Sequence, residues 1–136
     1  MRIFSTILGL LLLLVSADVH AQSVRVVDFK IQEENRDFLI SWKTEQEQGI
    51  RAFEIKRKTR YTNNEFVMVQ SMPPHGATKP YLFRDTQVYK SGSEQVDYRL
   101  EVVYANGLRE VLQERSLNYT STAVRRTWGS IKAMFQ

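Results

Sequence analysis

From residue 24 to residue 119, apolar and polar positions alternate in short runs. Phe38, Ile40 and Trp42 share one parity in 37–44, and Phe53 and Ile55 oppose Glu54, Lys56 and Lys58 in 51–59. Tyr98, Leu100, Val102 and Tyr104 share a parity in 95–104. Successive side chains of an extended chain point to opposite faces, so each run buries one face and wets the other. Residues 24–32 and 81–86 read as two further strands. Residues 65–72, EFVMVQSM, are almost continuously apolar, which suits a strand covered on both sides or lying at an edge. Residues 108–119 are ambiguous, because Leu108, Val111 and Leu112 have helical spacing. The turn before them decides for a strand.

That turn is Asn106-Gly107, which favours a two-residue type I′ hairpin with both central residues at positive φ. Asn63-Asn64 predicts a left-handed bend between two strands. Pro73-Pro74-His75-Gly76 and Ser91-Gly92-Ser93 are loop chemistry. Antiparallel strands with a turn every ten or so residues predict an all-β sandwich or barrel.

The two ends depart from this pattern. Arg2 precedes a run dominated by apolar residues from Ile3 to Val15, and Val19-His20-Ala21 closes it with small or modest side chains. This is the pattern of a signal peptide over 1–21, cut after Ala21. In residues 121–136, Val124, Trp128, Ile131 and Phe135 fall at i, i+4, i+7 and i+11, with Arg125, Arg126 and Lys132 off that stripe. The spacing predicts a short basic amphipathic helix capped by Ser121 or Thr122. Three domains follow: the signal peptide, a β body over 22–120, and a helical tail over 121–136.

Composition narrows the chemistry. The 136 residues are 43% apolar and 25% charged, a globular balance. Cysteine is absent, which excludes disulfides, thiolate metal sites and cysteine nucleophiles. Of two histidines, only His75 lies beyond the leader, too few for a multi-histidine metal site. The formal charge is +4, but 22–120 carries fifteen basic and fourteen acidic side chains. A nearly neutral body argues against nucleic acid as a partner. No cofactor or metal is expected.

The pattern W-x-T-x-x-E, a short loop, then F-x-I-x-R occurs here as Trp42, Thr44, Glu47, Phe53, Ile55 and Arg57. It is followed by Tyr98, Arg99, Leu100, Val103 and the Asn106-Gly107 turn. Over residues 24–118 the chain resembles a fibronectin type III-like domain of secreted and surface bacterial proteins. The resemblance implies a seven-stranded antiparallel Greek-key β-sandwich with Trp42 filling the core. It also implies that Tyr98 bonds backward to a loop, as tyrosine corners do. Lys90-Ser91-Gly92-Ser93 replaces the usual approach to the sixth strand.

Three groups are candidates for function. Glu45 and Glu47 offer a carboxylate pair for calcium or acid–base work, against the plainer reading of a solvated loop. Lys56, Lys58 and Arg60 are expected to share a strand face that takes an anionic ligand. The tail residues Val124, Arg125, Arg126, Trp128, Ile131, Lys132 and Phe135 are expected to dock either on a partner or, as an alternative of equal weight, on their own sandwich. The expected function is a non-catalytic exported module acting through protein–protein interaction in the bacterial cell envelope, periplasmic or at the surface. Its partner is an envelope or surface protein, with a membrane surface as the lesser option. The alternative is a glycan-binding or glycan-processing accessory using the Glu45/Glu47 loop or the Lys56–Arg60 face.

Overall fold

A computed structural model of the chain describes residues 23–88, 95–119 and 134. Seven strands occur in chain order: β1 (Ser23–Glu34), β2 (Asp37–Gln48), β3 (Ile50–Lys58), β4 (Val67–Met72), β5 (Tyr81–Asp85), β6 (Gln95–Tyr104) and β7 (Arg109–Asn118). A 3-10 turn over Arg60–Thr62 follows β3. The strands form two antiparallel sheets, ordered β1-β2-β5 and β4-β3-β6-β7.

The expected seven-strand sandwich with a C-terminal helix is corrected in its second part. The elements described are strands and one 3-10 turn, and no C-terminal helix is among them. The tail residues 124–126, 128, 131, 132 and 135, like the leader 1–21, lie outside the described residues.

Inward positions of both sheets meet in one core, and the parity read from the sequence decides which. Phe38, Ile40 and Trp42 of β2 and Phe53 and Ile55 of β3 are buried, as are Tyr98, Leu100 and Val102 of β6. The Trp42 indole stacks on Tyr81 at 4.9 Å between centroids and meets Phe53 edge-on at 6.0 Å. These contacts join the two sheets, because Trp42 and Tyr81 belong to one and Phe53 to the other.

Where alternation fails in the sequence, the sheet carries a bulge. Leu100 pairs with Gln113 and Glu101 with Val111, leaving Leu112 as an extra residue in β7. That insertion produces the helix-like spacing of Leu108, Val111 and Leu112 inside a strand. In β1, Asp28 takes φ 55° where the register shifts between Val27 and Lys30.

Asn63 and Asn64 are left-handed, with φ 53° and 58°, as their sequence predicts. At the last hairpin only Gly107 of the pair is at positive φ, at 88°. Gly107 N donates to the Tyr104 carbonyl and Tyr104 N to that of Leu108, each at 2.9 Å. The loop is therefore a turn closed by a left-handed glycine, one residue longer than the type I′ turn expected.

Candidate functional site

The Glu45/Glu47 pair is separated by a bulge. Arg25 pairs with Gln46 and Val26 with Thr44, so Glu45 is the extra residue, and the parity of β2 reverses there. Glu45 points to solvent and meets Arg25 at 3.0 Å. Glu47 turns toward the loop before β5 and accepts three hydrogen bonds. They come from Thr44 Oγ1 at 2.6 Å, the Tyr81 hydroxyl at 2.7 Å and Gly76 N at 2.9 Å. The Tyr81 hydroxyl in turn accepts from His75 N at 2.8 Å, and the His75 ring stacks on Tyr81 at 3.8 Å. Burial and the adjacent Glu47 carboxylate together push the Tyr81 phenol above its ordinary range, so it stays a donor at neutral pH. Glu47 thus fixes the loop that carries the chain from one sheet to the other.

This assigns Glu47 a cost when it is neutralised. Glu47→Gln keeps the shape but removes charge-assisted acceptance, so stability falls by about 1–3 kcal/mol. Urea denaturation measures the loss, and faster amide exchange at Gly76 locates it. Unchanged stability with unchanged exchange contradicts the role.

The basic run is likewise engaged. Lys58 Nζ lies 2.9 Å from Asp97 and Lys56 Nζ 2.7 Å from Glu101, both across the β3–β6 pairing. Arg99 bridges Glu101 and Glu114, and Arg109 donates to Glu54. Phe66 lies between two of these cations, with Lys58 Nζ 4.8 Å and the Arg99 guanidinium 3.8 Å from its ring. Burial alone would raise the Asp97 carboxyl. Hydrogen bonds from Ser116, Lys58 and Gln95 outweigh it and hold the group below its usual range. The outer face of the four-stranded sheet is therefore a lattice of matched charges. Arg60 does not share it, because Thr59 caps a 3-10 turn and ends the strand phase at Lys58. Its guanidinium instead bonds the Tyr61 hydroxyl at 2.8 Å.

Arg57, inward on β3, does what its polar neighbours do not: it ties the two sheets together. Its Nη1 donates to Asp85 of β5, 2.7 Å from Oδ1 and 2.5 Å from Oδ2. Tyr98 of β6 donates its hydroxyl to the same carboxylate at 2.7 Å, and Gln87 N adds a bond at 3.1 Å. The backward bond implied for Tyr98 thus ends on a side chain rather than on a loop backbone. Burial first, then the Asp85 charge, pushes the Tyr98 phenol far above its ordinary range. A backbone tether comes from Tyr119, whose hydroxyl donates to the Val88 carbonyl at 2.7 Å.

Beside this network a cleft of about 470 Å³ opens between β4 and β5, an edge strand of each sheet. Val67 to Gln70 form one wall, Phe83 to Gln87 the other, and Arg57 reaches it from β3. Sequence reasoning missed this cleft and Asp85. The signal was partly present: the apolar run at 65–72 suits a strand covered on both sides or lying at an edge, but nothing local sets it against residues 83–87.

Among the described residues, no group of three or more metal-ligating side chains gathers. No helix there is long and apolar enough to cross a membrane.

No protein-family model matches the chain, and no curated protein matches it. Among solved structures, it is similar to wild-type OgpA from Akkermansia muciniphila at TM-score 0.53 and 16% identity, covering 73% of this chain and 27% of that one. It is also similar to catalytically inactive OgpA in complex with an O-glycopeptide substrate, at TM-score 0.54 and 15% identity, over 77% of this chain and 32% of that one. Pectate lyase PelI from Erwinia chrysanthemi gives TM-score 0.49 at 17% identity, over 71% and 28%. The chain spans about a third or less of the length of these proteins. At such identities the likeness to OgpA is one of fold: two antiparallel β-sheets around a shared core.

Proposed function

We propose that the chain is an exported, non-catalytic module of fibronectin type III-like type that works by binding another protein in the bacterial cell envelope. The sheet order β1-β2-β5 against β4-β3-β6-β7, with buried Trp42 and Tyr98, supports the fibronectin type III-like reading. One observation carries the functional reading. The side chains best suited to chemistry are engaged in holding structure: Glu47 in its loop, Lys56 and Lys58 in their ion pairs, Asp85 between the sheets. General acid–base work needs a group free to exchange a proton with a substrate. Exposed apolar side chains, by contrast, remain on the surface at Met68, Leu82 and Leu108.

The alternative, a glycan-binding or glycan-processing accessory, draws on OgpA, one of whose structures holds an O-glycopeptide. That likeness extends to the fold alone, and the Glu47 and Lys56/Lys58 groups expected to serve a glycan are already bonded.

A photoreactive residue placed in turn at Met68, Leu82 and Leu108 of the full chain tests the reading in its native cells. The expected result is an adduct with an envelope protein from at least one position. No protein adduct from any position, or turnover of a glycopeptide by the purified chain, contradicts it.

A further inference from the structure

The two sheets present four edge strands among the described residues, and three carry the features that discourage strand addition. β1 has Arg25, Asp28, Lys30, Glu33 and Glu34, and a bulge at Asp28. β7 has Arg109, Glu110, Glu114 and Arg115, and a bulge at Leu112. β5 is five residues long, follows Pro80 and contains Arg84 and Asp85. β4 differs. Its six residues, VMVQSM, include no charge and no proline, and Val67 and Met68 are 40% and 57% exposed. The Gln70 side-chain amide donates to the Ser71 carbonyl at 3.2 Å, occupying a backbone acceptor of this edge.

The cleft lies directly beside this uncharged edge, and its own charges are matched. Arg57 is paired with Asp85, and Arg84 with Glu34 and Asp37. A charged strand entering here would lose its hydration without finding an opposite charge, whereas an uncharged one would not. Val69 and Phe83, both packed against the core, give the cleft apolar walls. An edge provides backbone hydrogen bonds and an adjacent pocket selects alternate side chains, which together make the strand-addition mode of peptide recognition.

We propose that β4 and the β4–β5 cleft form a strand-addition site for an extended, uncharged segment of a partner protein. Alternate apolar side chains of that segment enter the cleft between Val69 and Phe83. A second copy of β4 fits less well, because its own sheet stands beside it and leaves the cleft unfilled. The proposal rests on the binding-module reading and names its surface and the chemistry of its partner.

The probe is a phage-displayed library of random peptides, selected on the full chain and resynthesised for titration. The expected peptides lack charge and central proline and alternate apolar with small polar residues. Met68→Lys places a charge on the edge and weakens their binding by at least about tenfold, while Leu108→Lys at the distant hairpin changes it less than about twofold. If Met68→Lys lowers the unfolding midpoint, Val67→Lys on the same edge carries the comparison. Failure to select any peptide, equal binding to the lysine variants, or selection of charged sequences overturns the proposal. So does self-association of the unliganded chain that Met68→Lys abolishes, which assigns the edge to a second copy. Any of these results alongside protein adducts from Leu82 or Leu108 removes the site and leaves the binding-module reading standing. Absence of adducts from every position removes both.

Discussion

Trp42→Ala lowers the folding stability of the chain by about 3–5 kcal/mol. The indole is fully buried, stacks on Tyr81 and meets Phe53 across the sheets. Truncating a buried aromatic of this size costs about 3–5 kcal/mol, from lost transfer energy and an unfilled cavity. A domain of this length has about 5–15 kcal/mol in total, so the loss removes from about a fifth to all of its stability. The His75–Tyr81 stack loses its inner support in the same step. Urea denaturation followed by far-ultraviolet circular dichroism measures the effect. A loss below about 1 kcal/mol contradicts the packing described, since that is the range of surface substitutions.

The second large effect is at Asp85. Its carboxylate is buried and receives Arg57, Tyr98 and the Gln87 amide. Asp85→Asn strands the Arg57 charge in the interior, which costs about 3–5 kcal/mol when one partner of a buried pair is removed. Replacing both partners by apolar residues, as in Arg57→Met with Asp85→Leu, removes the stranded charge and restores part of that stability, the Tyr98 hydroxyl being left without its acceptor. The comparison separates two readings of the network. If the double variant is as unstable as Asp85→Asn, the bonds contribute net stability beyond neutralising each other. If Asp85→Asn is silent, Asp85 does not hold the sheets together at all.

The strands were legible because their burial is one-sided and local. Phe38, Ile40 and Trp42 announce an inward face with no knowledge of the partner strand, and so do Tyr98, Leu100 and Val102. The bulges were legible only as disturbances. The irregular run at 110–114 looked ambiguous because one inserted residue at Leu112 shifts the parity, and nothing local says which residue is extra. The same holds at Glu45, where the insertion separates two carboxylates that the sequence placed together.

The candidate site was less legible, because its meaning depends on register between distant strands. Lys56 and Lys58 read as an exposed basic face when β3 is considered alone. In register, Lys58 faces Asp97, but Lys56 faces Arg99 and Glu54 faces Glu101, so Lys56 finds its opposite charge diagonally, on Glu101. That diagonal pairing needs the register of both strands, which neither strand alone reveals. Glu47 was harder: its partners Tyr81 and Gly76 are 34 and 29 positions away, brought near by a loop that crosses between sheets. The helical spacing of 121–136 concerns residues that, Met134 apart, lie outside the described ones.

Residue-resolved amide exchange of the full chain tests most directly whether, among the described residues, β4 is an open edge beside a closed core. The core strands β2, β3 and β6 are expected to exchange slowly throughout. In β4, amides bonded to β3 are expected to be slow and those facing outward fast, so that protected and unprotected amides both occur along Val67–Met72, with their alternation interrupted at the Val69 bulge. Uniformly slow exchange across β4 means that the edge is already covered, and it contradicts the account.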